Sequence, residues 1–206
     1  MKKQLLTAVI AVFGLLTANA QEGGDFELGL GLGVNFANVS TINGQSNATS
    51  KISFNAGASG EYYFSDRWGV KAKLIYDNKG WADGYILDEN NIVTTTDFKL
   101  NYLTVPVMAN WHFGSNRNWY LNFGPYVGFL MSAEDSALGL DLKEGFKSTD
   151  FGAAFGIGHK IEIADNIKLF IEYDGQSGFS DIFEENAGEA IRNGRSSFNL
   201  GVLFSL

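Results

Sequence analysis

Residues 26–37 alternate with period two. Phe26, Leu28, Leu30, Leu32, Val34 and Phe36 are large and apolar, whereas Glu27, Gly29, Gly31, Gly33, Asn35 and Ala37 are small, polar or charged. Successive side chains of a strand point to opposite faces, so the stretch predicts a strand with one apolar and one small, polar face. The pattern returns along the chain and predicts eight strands, near 25–38, 51–64, 68–81, 97–113, 118–132, 148–163, 166–179 and 195–206. The connections alternate in length. Ser65-Asp66-Arg67, Gly114-Ser115-Asn116-Arg117 and Ala164-Asp165-Asn166 are tight turns, while 39–50, 82–96, 133–147 and 180–194 are longer and polar.

The two faces sort cleanly. In the third segment Trp68, Val70, Ala72, Leu74 and Tyr76 oppose Lys71, Lys73, Asp77 and Lys79; in the seventh, Ile167, Leu169, Ile171 and Tyr173 oppose Lys168, Glu172 and Asp174. In the fourth, Leu103, Val105, Val107 and Ala109 oppose Thr104, Asn110 and His112, but the phase blurs near Asn101. Two architectures fit. A secreted ligand-binding barrel turns its apolar face inward, and a membrane barrel turns it to lipid. The charged, glycine-rich opposite face suits a narrow lumen better than solvent. Phe64, Trp68, Phe113, Trp119 and Phe204 gather beside the short turns, where an interfacial aromatic girdle belongs. Short turns on one side and long loops on the other are the asymmetry of outer-membrane barrels. The fold predicted is all-β: an eight-stranded antiparallel up-and-down transmembrane β-barrel, monomeric, in contact with outer-membrane lipid and lipopolysaccharide.

Residues 1–20 stand apart. Lys2 and Lys3 precede an apolar run from Leu5 to Leu16, and Ala18-Asn19-Ala20 supplies a small-x-small cleavage site. The run is too short to cross about 30 Å of hydrocarbon as a helix. We read a cleaved signal peptide over 1–20 and a barrel domain over 21–206, with export to the outer membrane. The formal charge is −8, and −10 once the two lysines are removed. No basic patch exists, which argues against nucleic-acid binding. The absence of cysteine excludes disulfides, a thiolate metal site and an N-terminal lipid anchor on cysteine.

The inward set predicted from the alternation contains Glu27, Glu61, Asp77, Glu162, Glu172 and Asp174, with Lys71, Lys73, Lys99, Lys160 and Lys168. Eight strands leave a lumen just wide enough for side chains to fill it. Buried charges are tolerated when paired, so these residues read as a structural, salt-bridged plug.

The middle of the chain carries a resemblance. Asn101-Tyr102-Leu103-Thr104-Val105-Pro106-Val107 resembles the Y-L-x-x-P strand of the outer-membrane β-barrel domain common in Bacteroidetes, the family that includes PorT-like proteins. Trp119 to Gly128, with its Gly124-Pro125-Tyr126-Val127-Gly128 core, is similar to the next strand, and Ser148-Thr149-Asp150-Phe151-Gly152 with Gly156-Ile157-Gly158 to the one after. The resemblance implies an eight-stranded outer-membrane barrel. Some members are associated with the type IX secretion apparatus, and others are called small porins by name only. The last strand ends in Leu206 where a terminal aromatic is usual, with Phe204 two residues earlier on the same face. Pro106 and Pro125 cannot donate to a ladder, and a closed ring has no edge to hold them, so bulges are predicted beside both.

Candidate chemistry is sparse. His112 and His159 fall on different strands and opposite faces, and two histidines without cysteine do not make a closed zinc site. The glycines alternate inside a strand and open no helix, so they form no phosphate cradle. No cofactor is implied. The acidic loops (Asp83, Asp88 and Glu89; Glu134, Asp135 and Asp141; Asp181, Glu184, Glu185 and Glu189) suit a solvated surface, divalent-cation bridging to lipopolysaccharide phosphates, or docking of a partner. A short helix is predicted over 183–191. The leading function is non-enzymatic: a structural or interaction protein of the envelope, accessory to secretion or surface assembly. A small porin and an outer-membrane enzyme are the alternatives.

Overall fold

The computed structural model describes residues 24–40, 48–87 and 92–206. Eight strands form one closed antiparallel ring in sequence order. They are β1 (Phe26–Val39), β2 (Lys51–Tyr63), β3 (Trp68–Leu87), β4 (Val93–Phe113), β5 (Trp119–Asp135), β6 (Thr149–Ala164), β7 (Ile167–Gly178) and β8 (Asn193–Ser205). β1 pairs with β8 from Glu27–Ser205 to Val39–Asn193, which closes the ring. The predicted signal segment, 1–20, lies outside the described residues.

The alternation produces the two faces as read. Leu30, Leu32, Phe54, Phe123, Phe155, Phe198 and Leu200 point outward and are more than half exposed, while Glu27, Asn35, Glu61, Lys71, Asp77 and Glu172 are buried inside. Hydrocarbon offers a backbone N–H or C=O no partner, and closing the ring leaves no unpaired edge strand. Small inward residues make room for large ones. Gly158 lies opposite Tyr120, and a Cβ there would overlap the tyrosine ring.

Three departures from the expected elements have physical causes. First, the segment 82–96 is mostly strand: β3 and β4 run on to Leu87 and Val93 as a hairpin. At 20 and 21 residues they exceed the roughly 9–11 that a tilted strand needs to cross a bilayer, so the hairpin projects beyond it. A register shift between Trp81 and Gly84, with Asp83 at φ 56°, re-aims the ribbon where it leaves the ring. Second, the bulge on β4 and β5 sits between Asn101 and Tyr102 and leaves Met131 as the extra residue. It is not at the prolines. Pro106 pairs with Tyr126, Ala109 pairs with Phe123 in the same register, and Pro125 keeps register with Ala153. Third, no helix forms over 183–191. The described helical turn is a 3-10 turn at Lys143–Gly145 in the third loop.

A Gly158→Val substitution forces extra volume against Tyr120. It is expected to lower the unfolding free energy by about 1–3 kcal/mol, read as a shift in the urea midpoint of the barrel in lipid vesicles. An unchanged midpoint would contradict the packing described.

Candidate functional site

The lumen is built in tiers. Beside the short turns, Lys160 Nζ donates to Glu27 Oε2 at 2.5 Å and to the Tyr63 hydroxyl, and lies 3.5 Å from Glu61 Oε2. Lys168 Nζ donates to the other Glu27 oxygen at 2.9 Å. Glu61 Oε1 also accepts from Asn110 Nδ2 at 2.7 Å and lies 2.6 Å from His112 Nε2. These residues come from β1, β2, β4, β6 and β7, so the contacts cross the lumen as well as following the sheet.

The middle tier is organised on β7 and β8. Glu172 accepts from Lys73, and from Asn122 Nδ2 at 3.0 Å, with Lys71 Nζ at 3.8 Å. Lys71 also sits 4.6 Å from the centre of the Tyr120 ring, a cation–π contact inside the barrel. Asp174 accepts from Arg195 Nη1 at 2.6 Å and Ser197 Oγ at 2.8 Å, and Lys73 Nζ is 3.4 Å away. Arg195 Nε lies 3.1 Å from Asp77 Oδ1, which also accepts from Asn35 Nδ2 at 3.0 Å. A cavity of about 40 Å³ lies between Lys71, Lys73, Glu172, Asp174 and Asn55. Gly57, Ile75 and Phe170 line it as well, and it has room for water.

The upper tier centres on Asp150. Its Oδ2 accepts from Lys79 Nζ at 3.2 Å, Tyr126 Oη at 3.0 Å and Asn193 Nδ2 at 3.1 Å, and its Oδ1 accepts from Ser180 Oγ at 2.9 Å. Above it the lining changes character. Trp81, Phe98, Leu100, Tyr102, Leu130, Ala133, Phe146, Ile182 and Ile191 form one buried apolar cluster. Trp81 stacks on Phe98 with ring centroids 4.3 Å apart, and Phe146 stacks on Phe183 at 4.9 Å. The third and fourth loops are stitched across this cap by Lys147 N to Ile182 O, 2.8 Å, and Glu184 N to Gly145 O, 3.1 Å, and Ile182 N to Ile191 O, 2.9 Å, ties the fourth loop to itself.

Of the residues expected in the plug, Glu27, Glu61, Lys71, Lys73, Asp77, Lys160, Lys168, Glu172 and Asp174 point into the lumen and share the ion pairs just described. Two do not join them. Lys99 is exposed. Strict alternation from Tyr102 and Thr104 aims Leu100 and Phe98 inward and Lys99 outward, directly opposite Glu134 on β5. Glu162 keeps the inward phase but lies beyond the end of the lumen, exposed at the rim opposite Lys168. Arg195, Asp150 and Lys51, absent from the expected set, complete the interior with Lys79, which shares the face of Lys71, Lys73 and Asp77. Lys51 donates to Asn78 Oδ1 at 3.0 Å. Extending the alternation of Ser197 and Asn199 back by two residues, and that of Gly152 by two, points to Arg195 and Asp150.

The loop acids divide. Asp88 and Glu89 lie outside the described residues. Asp135 turns inward and accepts the N–H groups of Leu138 at 2.7 Å and Leu140 at 2.8 Å. Asp83 accepts from Thr49 Oγ1 at 2.6 Å. Burial raises the pKa of Asp181, but donation by Asn186 Nδ2 and by the N–H groups of Phe183 and Ile191 outweighs it and holds the carboxyl below its ordinary range. That stabilisation is present at neutral pH and is lost as pH falls through the depressed pKa. Glu134, Asp141, Glu184, Glu185 and Glu189 stay exposed. Among the described residues, no three His, Asp or Glu side chains are placed to hold a metal. His112 is buried in the lumen against Glu61, and His159 packs on Trp119 outside, with ring centroids 4.6 Å apart.

A closed ring of eight strands, apolar outside and ion-paired inside, is an outer-membrane β-barrel. Residues 18–184 match the family described as outer membrane protein beta-barrel domain, and the chain belongs to that family. β8 lies beyond the matched segment, and the structure pairs it with β1 and β7. Among solved structures the chain is similar to Neisserial surface protein A, with TM-score 0.51 and 20% identity over 89% of this chain and 99% of that one. It is also similar to the outer membrane protein OprG of Pseudomonas aeruginosa, with TM-score 0.52 and 14% identity over 90% and 97%. At these identities the likeness is one of fold. No curated protein matches the chain.

Removing one member of a buried ion pair strands its partner. Glu172→Gln is expected to cost about 3–5 kcal/mol of stability, and Glu172→Gln with Lys73→Met less than the sum of the single changes. Additive effects in urea unfolding would contradict the pairing.

Proposed function

We propose that this chain is a non-enzymatic outer-membrane barrel that works through its surface, as a structural or interaction protein of the cell envelope accessory to secretion or surface assembly. We read it as exported by the signal peptide at 1–20 and monomeric in the membrane. The observation that carries the proposal is the double closure of the lumen: paired charges fill the middle, and an apolar cap stitched from the third and fourth loops covers the top. With the lumen filled, contact with other molecules falls to the loop surface. The projecting β3–β4 hairpin and the exposed acids Glu134, Asp141, Glu184, Glu185 and Glu189 lie on that surface. The resemblance of Tyr102 to Pro106 and of Gly124 to Gly128 to the PorT-like barrels of Bacteroidetes supports the accessory reading. The same acids offer oxygen ligands for divalent bridging to lipopolysaccharide phosphates.

A second reading, a small porin, draws support from the cavity beside Lys73 and Glu172. It needs a continuous path, and the cap lies across it. A membrane enzyme would need a reactive group open to substrate, and His112 is sealed inside the plug.

Photo-cross-linkers placed at Glu134, Asp141 and Glu185 in intact outer membranes test the proposal. The expected result is capture of a secretion or surface-assembly component, lost when the linker is moved to the turn residue Asp165. Capture of lipid alone from every loop position would overturn the accessory role.

A further inference from the structure

The outer face of the barrel is not smooth. Between β3 and β6, just above the short turns, it carries a groove of about 290 Å³. One wall is the row Trp68, Trp111, Leu121 and Ile157, in register across four strands. The other is Phe123 and Phe155, a cross-strand pair in the next row. Below the first wall a second row, Phe113, Trp119 and His159, faces the turns. The rings touch in series: Trp68 to Trp111 at 6.3 Å, Trp111 to Phe113 at 5.1 Å, Phe113 to Trp119 at 6.3 Å and Trp119 to His159 at 4.6 Å. Strands lie about 4.8 Å apart, so the first wall, crossing four of them, is about 14 Å long.

Charge lies at the foot of this groove. Arg67 and Arg117, both exposed, occupy the β2–β3 and β4–β5 turns, one residue before Trp68 and two before Trp119. His112 N donates to Arg67 O at 2.7 Å, which fixes the first turn against the end of β4. Arg117 Nη2 donates to Asp66 Oδ2 at 2.9 Å and joins the two turns into one platform. Asp66 offsets part of the Arg117 charge, while Arg67 makes no ion pair among the described residues. The β6–β7 side has the opposite sign, with Glu162 and Asp165 exposed. Asp66 apart, the cations therefore sit in the turns below Trp68 and Trp119, and the anions at the turn end of β6.

We propose that this groove is a binding site for one anionic phospholipid. An acyl chain lies between the Trp111–Leu121 wall and the Phe123–Phe155 wall, and the phosphate sits against Arg67 and Arg117. The short turns of such barrels face the periplasm, so the ligand comes from the phospholipid leaflet. His159 and Trp119 stand at headgroup level, where amphipathic rings are favoured. The site is independent of whether the loop face has a protein partner.

The test is native mass spectrometry of the full chain released from vesicles of phosphatidylglycerol and phosphatidylcholine in equal parts. One phosphatidylglycerol retained per barrel, in preference to phosphatidylcholine, is expected. Reversing charge at Arg67→Glu or Arg117→Glu should reduce that preference about fivefold each. Leu121→Trp fills the groove without changing charge and should lower retention of both lipids. The substituted positions are exposed turns or a lipid-facing side chain, and the heat-dependent gel shift of a folded barrel checks that each variant is intact. Equal retention by the wild type and all three variants would overturn the site. So would lipopolysaccharide displacing phosphatidylglycerol from the intact barrel when both are supplied.

Discussion

Everything in this molecule follows from one demand of the bilayer: no backbone polar group inside it can be left unpaired. Eight strands meet that demand by closing on themselves, since an open sheet would present unpaired edges to hydrocarbon. Closure at eight strands then imposes a second condition. The lumen is narrow, so inward side chains touch one another across it, and any charge among them needs an ion-pair or hydrogen-bonding partner. Lys160 between Glu27 and Glu61, Lys73 between Glu172 and Asp174, and Arg195 between Asp77 and Asp174 meet it. Glycines of β1 and β6 leave room for other inward side chains: Gly31 for Phe170, Gly33 for Asn55 and Asn199, and Gly158 for Tyr120.

The solvent changes along the barrel axis, and the side-chain pattern inverts with it. Within the membrane band the outside is apolar and the inside charged. Above it, Lys99 and Glu134 point out to water while Phe98, Leu100, Trp81 and Ile182 turn inward. The projecting end therefore has an ordinary hydrophobic core sitting on a charged plug. That core anchors the third and fourth loops and presents them as a defined surface, which is the physical basis for a role carried by the loops. At the other end the exterior aromatic rows and the two turn arginines shape the surface that meets the lower leaflet.

The same inversion explains what was legible from sequence. Strand number, order and nearly all boundaries follow from period-two alternation, which a membrane barrel obeys more strictly than a soluble sheet. The inward charges Glu27, Glu61, Lys71, Lys73, Asp77, Lys160, Lys168, Glu172 and Asp174 follow too. Lys99 did not, because near Asn101 the apolar face passes from outside to inside, and a polar residue ceases to mark the lumen. Glu162 has the right phase and the wrong depth, a coordinate that alternation does not carry. Arg195 and Asp150 sit at strand ends beside loops, where a reading by segments stops short. The prolines were accommodated without a bulge because Val107, Met108, Gly124 and Pro125 drop out of the β4–β5 pairing while the register holds on both sides. The sequence reading places Ile191 in a short helix over 183–191, whereas Ile182 and Ile191 serve a cap that pairs the fourth loop with itself and the third.

The central claim is that the lumen is sealed by side chains, and electrical recording of the purified full chain in planar bilayers tests it most directly. The account predicts a silent membrane under applied voltage, for the native barrel and at neutral pH. Sustained current steps that change in size when Lys71 or Glu172 is neutralised would show an aqueous path through the plug and would contradict it.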